Sequence, residues 1–95
     1  MERLYTIIVD YKGGTYVSQY NSLDILDLKN KWLNIELPKL KDIAGFSPNE
    51  INLIKEKLMD EKEICFEGLS NVWNNDLGFI SEDYFSFIIV ATLKE

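Results

Sequence analysis

The run Tyr84-Phe85-Ser86-Phe87-Ile88-Ile89-Val90-Ala91-Thr92-Leu93 constrains the fold of this chain more than any other stretch. It is β-branched or aromatic nearly throughout and contains no Gly or Pro, which favours strand over helix. Alternation sets Phe85, Phe87, Ile89, Ala91 and Leu93 on one face, and Tyr84, Ser86, Ile88, Val90 and Thr92 on the other. Both faces are largely apolar, so the strand is expected inside a sheet with cover on each side. The remainder of a 95-residue chain has to supply that cover, as one domain (1–95) with one core.

The N-terminus supplies the first neighbours. Leu4 to Tyr11 and Thr15 to Tyr20 read as strands, and Lys12-Gly13-Gly14 between them is a hairpin signal, because primed turns need positive φ. A two-residue loop puts Tyr5, Ile7, Val9 and Tyr11 on one face with Tyr16, Ser18 and Tyr20. Leu4, Thr6, Ile8 and Asp10 then share the other face with Thr15, Val17 and Gln19.

Helices come next. Asn21 or Ser22 is expected to cap a helix from Leu23, with Asp24 in its first turn. Ile25, Leu28, Trp32 and Ile35 recur at helical spacing, Leu26 and Leu33 widen the stripe, and Lys29 and Lys31 fall outside its seam. Pro38 predicts a stop near Glu36, with Leu37, Leu40 and Ile43 on a further short turn before Gly45. Ser47-Pro48-Asn49-Glu50 matches a capping box with proline at the first helical position. Phe46 and Ile51 make a hydrophobic staple, and Ile51, Ile54 and Leu58 carry that helix from Pro48 to about Asp60.

Ile64 to Leu77 reads as an interrupted strand joined to the last one by a long polar loop. The expected fold is therefore α+β: a four-stranded antiparallel sheet, ββ-ααα-ββ, strand order 2-1-4-3, with the helices on one face.

Charge narrows the function. The net charge of −6 argues against a nucleic-acid partner, since such binding neutralises phosphates with Lys and Arg. A basic protein partner, or plain solubility, fits better. The chain has no histidine, which removes the commonest general base and transition-metal ligand, and no enzyme is expected. Cys65 is the single cysteine, so a reducing compartment fits and a small buried hydrophobe is its expected role. No apolar run approaches the ~18 residues of a membrane span, and the N-terminus lacks the features of a signal peptide. A cytoplasmic protein without membrane contact is expected. No motif calls for a cofactor: Gly13-Gly14 lacks a phosphate-loop pattern. Asp60, Glu61, Glu63 and Glu67 lack calcium-loop spacing and read as a solvated connector.

Two groups stand out as protein-binding candidates. One is the hairpin face of Tyr5, Tyr11, Tyr16, Ser18 and Tyr20, of the amphipathic kind favoured at interfaces; it is equally suited to lie beneath the helices with its hydroxyls at the rim. The other is Trp73 with Asn74, Asn75 and Asp76 at a strand end. Trp32 is expected in the core. A second possibility is a small-molecule or enzymatic pocket between sheet and helices, lined by Trp73, Tyr84 and carboxylates such as Asp76 or Glu82. Two apolar helical stripes cover only one sheet face, so a homodimer through the sheet, with hairpin tyrosines in the interface, is also predicted.

The segment from Tyr5 to Gln19, with Gly-Gly-Thr-Tyr and a Ser-Gln pair, resembles the opening of small uncharacterised bacterial proteins. Gly68-Leu69 and Asn71-Val72-Trp73 echo a second motif in such proteins. The resemblance implies fold and bacterial source. The strand-hairpin-helix opening is also similar to HicB-type antitoxins, although their Pro-Gly-Cys turn is missing where Tyr20-Asn21-Ser22 enters the helix. Together these readings predict a non-catalytic bacterial protein-binding domain, one version being a toxin-neutralising immunity protein or antitoxin.

Overall fold

The first turn sets the register of everything after it. In the computed structural model, which describes residues 2–92, β1 (Arg3–Tyr11) and β2 (Gly14–Ser22) are joined by Lys12-Gly13. Both turn residues have positive φ, 51° and 78°, as a type I′ turn requires, and glycine takes the second place without strain. Tyr11 faces Gly14, and pairing runs unbroken to Arg3 opposite Ser22. Tyr5, Ile7, Val9 and Tyr11 consequently share a face with Tyr16, Ser18 and Tyr20.

Because β2 pairs as far as Ser22, Asn21 and Ser22 are strand residues and not helix caps. Asp24 caps α1 (Ile25–Lys31) instead, its side chain accepting from the Asp27 N–H at 2.8 Å. Nor does the helix stop at Glu36. It passes through a π turn at Trp32–Glu36, where the Leu37 N–H reaches back to the Trp32 carbonyl, and continues as α2 (Leu37–Ala44). Pro38 sits in the first turn of α2, just beyond this wide turn, where re-registered bonding relieves the loss of its donor. The extra residue also rotates the buried face. Leu28, Trp32 and Leu33 are followed inward by Leu37 and Leu40, while Leu26 and Ile35, expected on the stripe, are exposed. α3 (Pro48–Asp60) begins with the capping box: Ser47 Oγ accepts from the Glu50 N–H at 3.1 Å, and Glu50 Oε1 from the Ser47 N–H at 2.9 Å.

The remaining strands are β3 (Ile64–Cys65), β4 (Val72–Asn74), β5 (Gly78–Ile80) and β6 (Asp83–Ala91). All pairs are antiparallel, in the order β2-β1-β6-β4-β3, with β5 also on β6. The fold is α+β, with a six-stranded antiparallel sheet in place of the expected four. The difference arises between Ile64 and Ile80. Asn74 opposes Ile88 but Gly78 opposes Phe85, a one-residue slip that leaves Leu77 and Gly78 sharing Phe85, whose carbonyl accepts from the Leu77 N–H. This is a β-bulge, and Gly78 at φ 77° takes its left-handed position. The expected long loop before β6 is a two-residue turn, Ser81-Glu82, between the paired Ile80 and Asp83.

The core lies between the helices and one sheet face. Trp32 meets Phe87 edge-on at 5.0 Å, and Tyr11 lies 5.3 Å from both Phe46 and Phe85. Phe85, Phe87, Ile89 and Ala91 are fully buried; Leu93, assigned above to the same face, lies outside the described residues. Ile88 and Val90 on the opposite face are only half-buried. Cover on both sides of β6 was expected, but the described helices cover one.

Candidate functional site

The residues that the sequence marks for protein binding do not share one surface. Tyr5 and Tyr11 are 4% and 1% exposed, which corrects their place in a binding face: the helices lie over them. The Tyr11 hydroxyl donates to the Ile80 carbonyl at 2.8 Å and lies 3.1 Å from Glu50 Oε2. Burial first, then Glu50, pushes its pKa up to about 12. Tyr16, Ser18 and Tyr20 are half-buried, because β2 is the sheet edge and the helical layer reaches it only in part. Tyr20 donates to Glu36 Oε1 at 2.5 Å, and burial together with that bond raises its pKa well above the usual phenol value.

Trp73, Asn74, Asn75 and Asp76 divide between the two faces by strand alternation, just before the bulge. Trp73 is half-buried on the helix side, its ring 6.5 Å from that of Tyr5. Asn74 lies on the other side, opposite Ile88. Asn75 is 2% exposed, and neither its amide nitrogen nor its oxygen has a hydrogen-bond partner. Asp76 completes the broken ladder: Oδ1 accepts from the Phe87 N–H at 2.8 Å, and Oδ2 from the Tyr84 hydroxyl at 3.1 Å. Its own N–H donates to Asn74 Oδ1 at 2.7 Å. The Asp76 bond raises the Tyr84 pKa. The polar groups of Asn74 and Asp76 are thus engaged within the chain, in shaping the bulge.

The expected pocket does not assemble. Trp73 faces the helices, whereas Asp76 and Tyr84 meet each other on the opposite side and Glu82 sits in an exposed turn. Among the described residues no cavity opens. The connector carboxylates are likewise dispersed. Glu63 pairs with Lys29 at 3.0 Å, while Asp60, Glu61 and Glu67 are exposed. Lys29 is buried, contrary to its place outside the helical seam, because its ammonium donates to the Leu58 and Glu61 carbonyls at the end of α3 (3.2 and 3.0 Å). Cys65 is exposed and not buried, since β3 is a two-residue edge strand. Its Sγ contacts the Leu69 carbonyl oxygen.

The sequence predicts one sheet face without helical cover and places the hairpin tyrosines on it. In the structure the described helices take the tyrosine face, and the outer face is the one left open. The cross-strand registers place Val17, Ile8 and Ile88 in one row, and Gln19, Thr6, Val90 and Val72 in the next. The aliphatic band from Val17 to Val72 runs across four strands. Thr15 bonds to Asp10 and Gln19 to Thr6 beside it, so the flanking polar side chains are paired. At one end Phe79 and Tyr84 pack edge-on at 5.6 Å, 63% and 50% exposed. The signal was present in Leu4, Ile8 and Val17, which alternation sets opposite the tyrosines.

No protein-family model, curated protein or solved structure matches the chain. No described helix is long and apolar enough to cross a membrane. The uncovered sheet face is therefore the feature on which a functional reading rests.

Proposed function

We propose that this chain is a non-catalytic, cytoplasmic bacterial protein-binding domain whose partner docks on the outer face of the sheet. The supporting observation is the aliphatic band Val17, Ile8, Ile88, Val90 and Val72, left without a helix over it. Three nine-residue strands and the three-residue β4 span roughly 19 Å across and, over the three long strands, about 30 Å along the chain, a footprint approaching one side of a specific protein interface. The paired polar side chains around the band resemble the rim that surrounds an apolar interface centre.

The net charge of −6 favours a basic partner. An acidic domain can occlude a basic, nucleic-acid-binding cleft, so a toxin-neutralising immunity protein or antitoxin is the concrete version of this reading. A small-molecule site near Trp73 has no convergence of side chains to support it.

The test is parallel affinity purification from the native cell with wild type and with Ile88→Lys, which puts a charge at the centre of the band. A stoichiometric partner is expected with wild type. The variant should bind it at least about 30-fold more weakly, as for a central interface residue costing ~2 kcal/mol. Repeated recovery of wild type alone, or undiminished binding by a folded Ile88→Lys, would defeat the proposal.

A further inference from the structure

The two edges of the sheet are built differently. β3, at one edge, is two residues long and is preceded by Glu61-Lys62-Glu63 and followed by Glu67. Short length and nearby charge are the usual protections of an edge against pairing with another chain. β2, at the other edge, is nine residues long. It pairs with β1 without a bulge, and from Gly13 to Leu23 the chain has no charged residue and no proline. Apart from Lys31, whose ammonium covers the Asn21 end, none of the usual protections is present among the described residues.

The backbone groups this edge offers can be assigned. The Leu4 carbonyl accepts from the Thr92 N–H, so the polar groups of Leu4 point toward β6. Antiparallel alternation then turns those of Thr6, Ile8 and Asp10 the same way. Their partners across the hairpin, Asn21, Gln19, Val17 and Thr15, direct N–H and C=O away from β1, off the sheet. Lys31 confirms the direction by donating to the Asn21 carbonyl, and so occupies that end of the edge. Thr15, Val17 and Gln19 are left as an evenly spaced outward set.

We propose that this edge pairs with β2 of a second copy of the chain, antiparallel and centred on Val17. About a twofold axis at Val17, Thr15 of one copy meets Gln19 of the other, and Val17 meets Val17. All three outward residues are then used on both sides, giving about six main-chain hydrogen bonds. A shifted register uses fewer of them or meets the Lys31 cap. Self-pairing suits the charge as well: each copy is acidic, with a net charge of −6, but the seam itself carries no charge. On the helix side the seam is lined by Tyr16 and Tyr20, both half-buried in one chain, and a second copy would complete their cover. One paired strand is a small contact, so the dimer belongs with the weaker, micromolar associations. The proposal concerns an edge, not the outer face, and stands whether or not that face binds a partner.

Sedimentation over a concentration series, with hydrogen exchange at high and low concentration, tests it. Wild type should reach dimer in the micromolar range, with the Thr15, Val17 and Gln19 amides slowed at least about tenfold on association. Val17→Pro removes an outward donor that β1 does not use, a place where edge strands tolerate proline. It should remain monomeric at every concentration while keeping the wild-type circular dichroism spectrum. Should proline disturb the hairpin, Val17→Lys is expected to give the same monomer through like charges at the axis. Wild type that stays monomeric throughout would overturn the proposal. So would a dimer that survives both Val17 substitutions, or one that is lost in Ile88→Lys but kept in them.

Discussion

Glu50 ties together three parts of the chain, and its removal should be felt as a loss of stability with a defined pH dependence. Its carboxylate accepts from the Ser47 N–H at the start of α3, from the Ser81 hydroxyl in the β5–β6 turn, and lies within reach of the Tyr11 hydroxyl (2.9, 3.0 and 3.1 Å). These bonds, the Ser47 N–H foremost, hold its pKa down to about 2, against an ordinary 4.5. A carboxyl with a depressed folded-state pKa stabilises the fold fully above its unfolded pKa. That contribution is lost as pH falls through the folded value, here between about 4.5 and 2. The unscreened linkage is about 3.4 kcal/mol, at 1.36 kcal/mol per unit. Glu50 is only half-buried, and solvent screening reduces that to roughly half.

Glu50→Gln keeps the size and one acceptor but not the charge. At pH 7 it should destabilise by about 1.5 kcal/mol, which is also what one or two charge-assisted hydrogen bonds contribute. Urea denaturation of both proteins at pH 7 and again near pH 3 separates this group from every other carboxyl, because only the difference between the two proteins is read. More than half of that difference should be gone by about pH 3. An equal difference at both values would refute the reasoning and reduce Glu50 to a neutral helix cap.

Two further substitutions test buried polar groups by the same measurement. Lys29→Met keeps the aliphatic stem but leaves the Leu58 and Glu61 carbonyls and Glu63 without their donor, and should cost about 1–3 kcal/mol; no loss would mean that water caps α3 equally well. Asn75→Leu replaces an amide whose two polar atoms are buried and unpaired by an apolar side chain of similar size. It should be neutral or stabilising by about 1 kcal/mol, and a comparable destabilisation would show that the amide has a partner.

The elements were legible in the sequence wherever local chemistry decides them. The Lys12-Gly13 turn needs positive φ, Ser47-Pro48-Asn49-Glu50 caps a helix by itself, and β6 has no helical periodicity. Two of the misses share a different cause, the insertion of one residue that changes phase. The π turn at Trp32–Glu36 moves Leu37 inward and Ile35 outward, which a constant helical period cannot anticipate. The bulge at Leu77-Gly78 does the same to the strand that pairs with β6, and its turn-rich composition reads as a loop. Lys29 and Cys65 were misplaced for a tertiary reason. The burial of one depends on where α3 ends, and the exposure of the other on β3 being an edge. The candidate site fared worse than the fold because alternation separates two faces without saying which one the helices take.

That ambiguity places Val17 where the two proposed surfaces meet. It belongs to the outer band through its row with Ile8 and Ile88, and to the seam through its outward N–H and carbonyl. Pairing at the edge would join the bands of two copies into one surface, so a partner bound across the axis would need the dimer. A partner bound within one band would not. Val17→Pro distinguishes these arrangements, because it removes the outward donor yet leaves an apolar ring on the outer face. If the partner recovered with wild type occupies one band, the monomeric Val17→Pro should bind it within about threefold of wild type, less than one hot-spot contact. Ile88→Lys should lose it, and sediment as wild type does. If Val17→Pro loses the partner as completely as Ile88→Lys, the single-band arrangement is wrong, and the unit that binds is the pair.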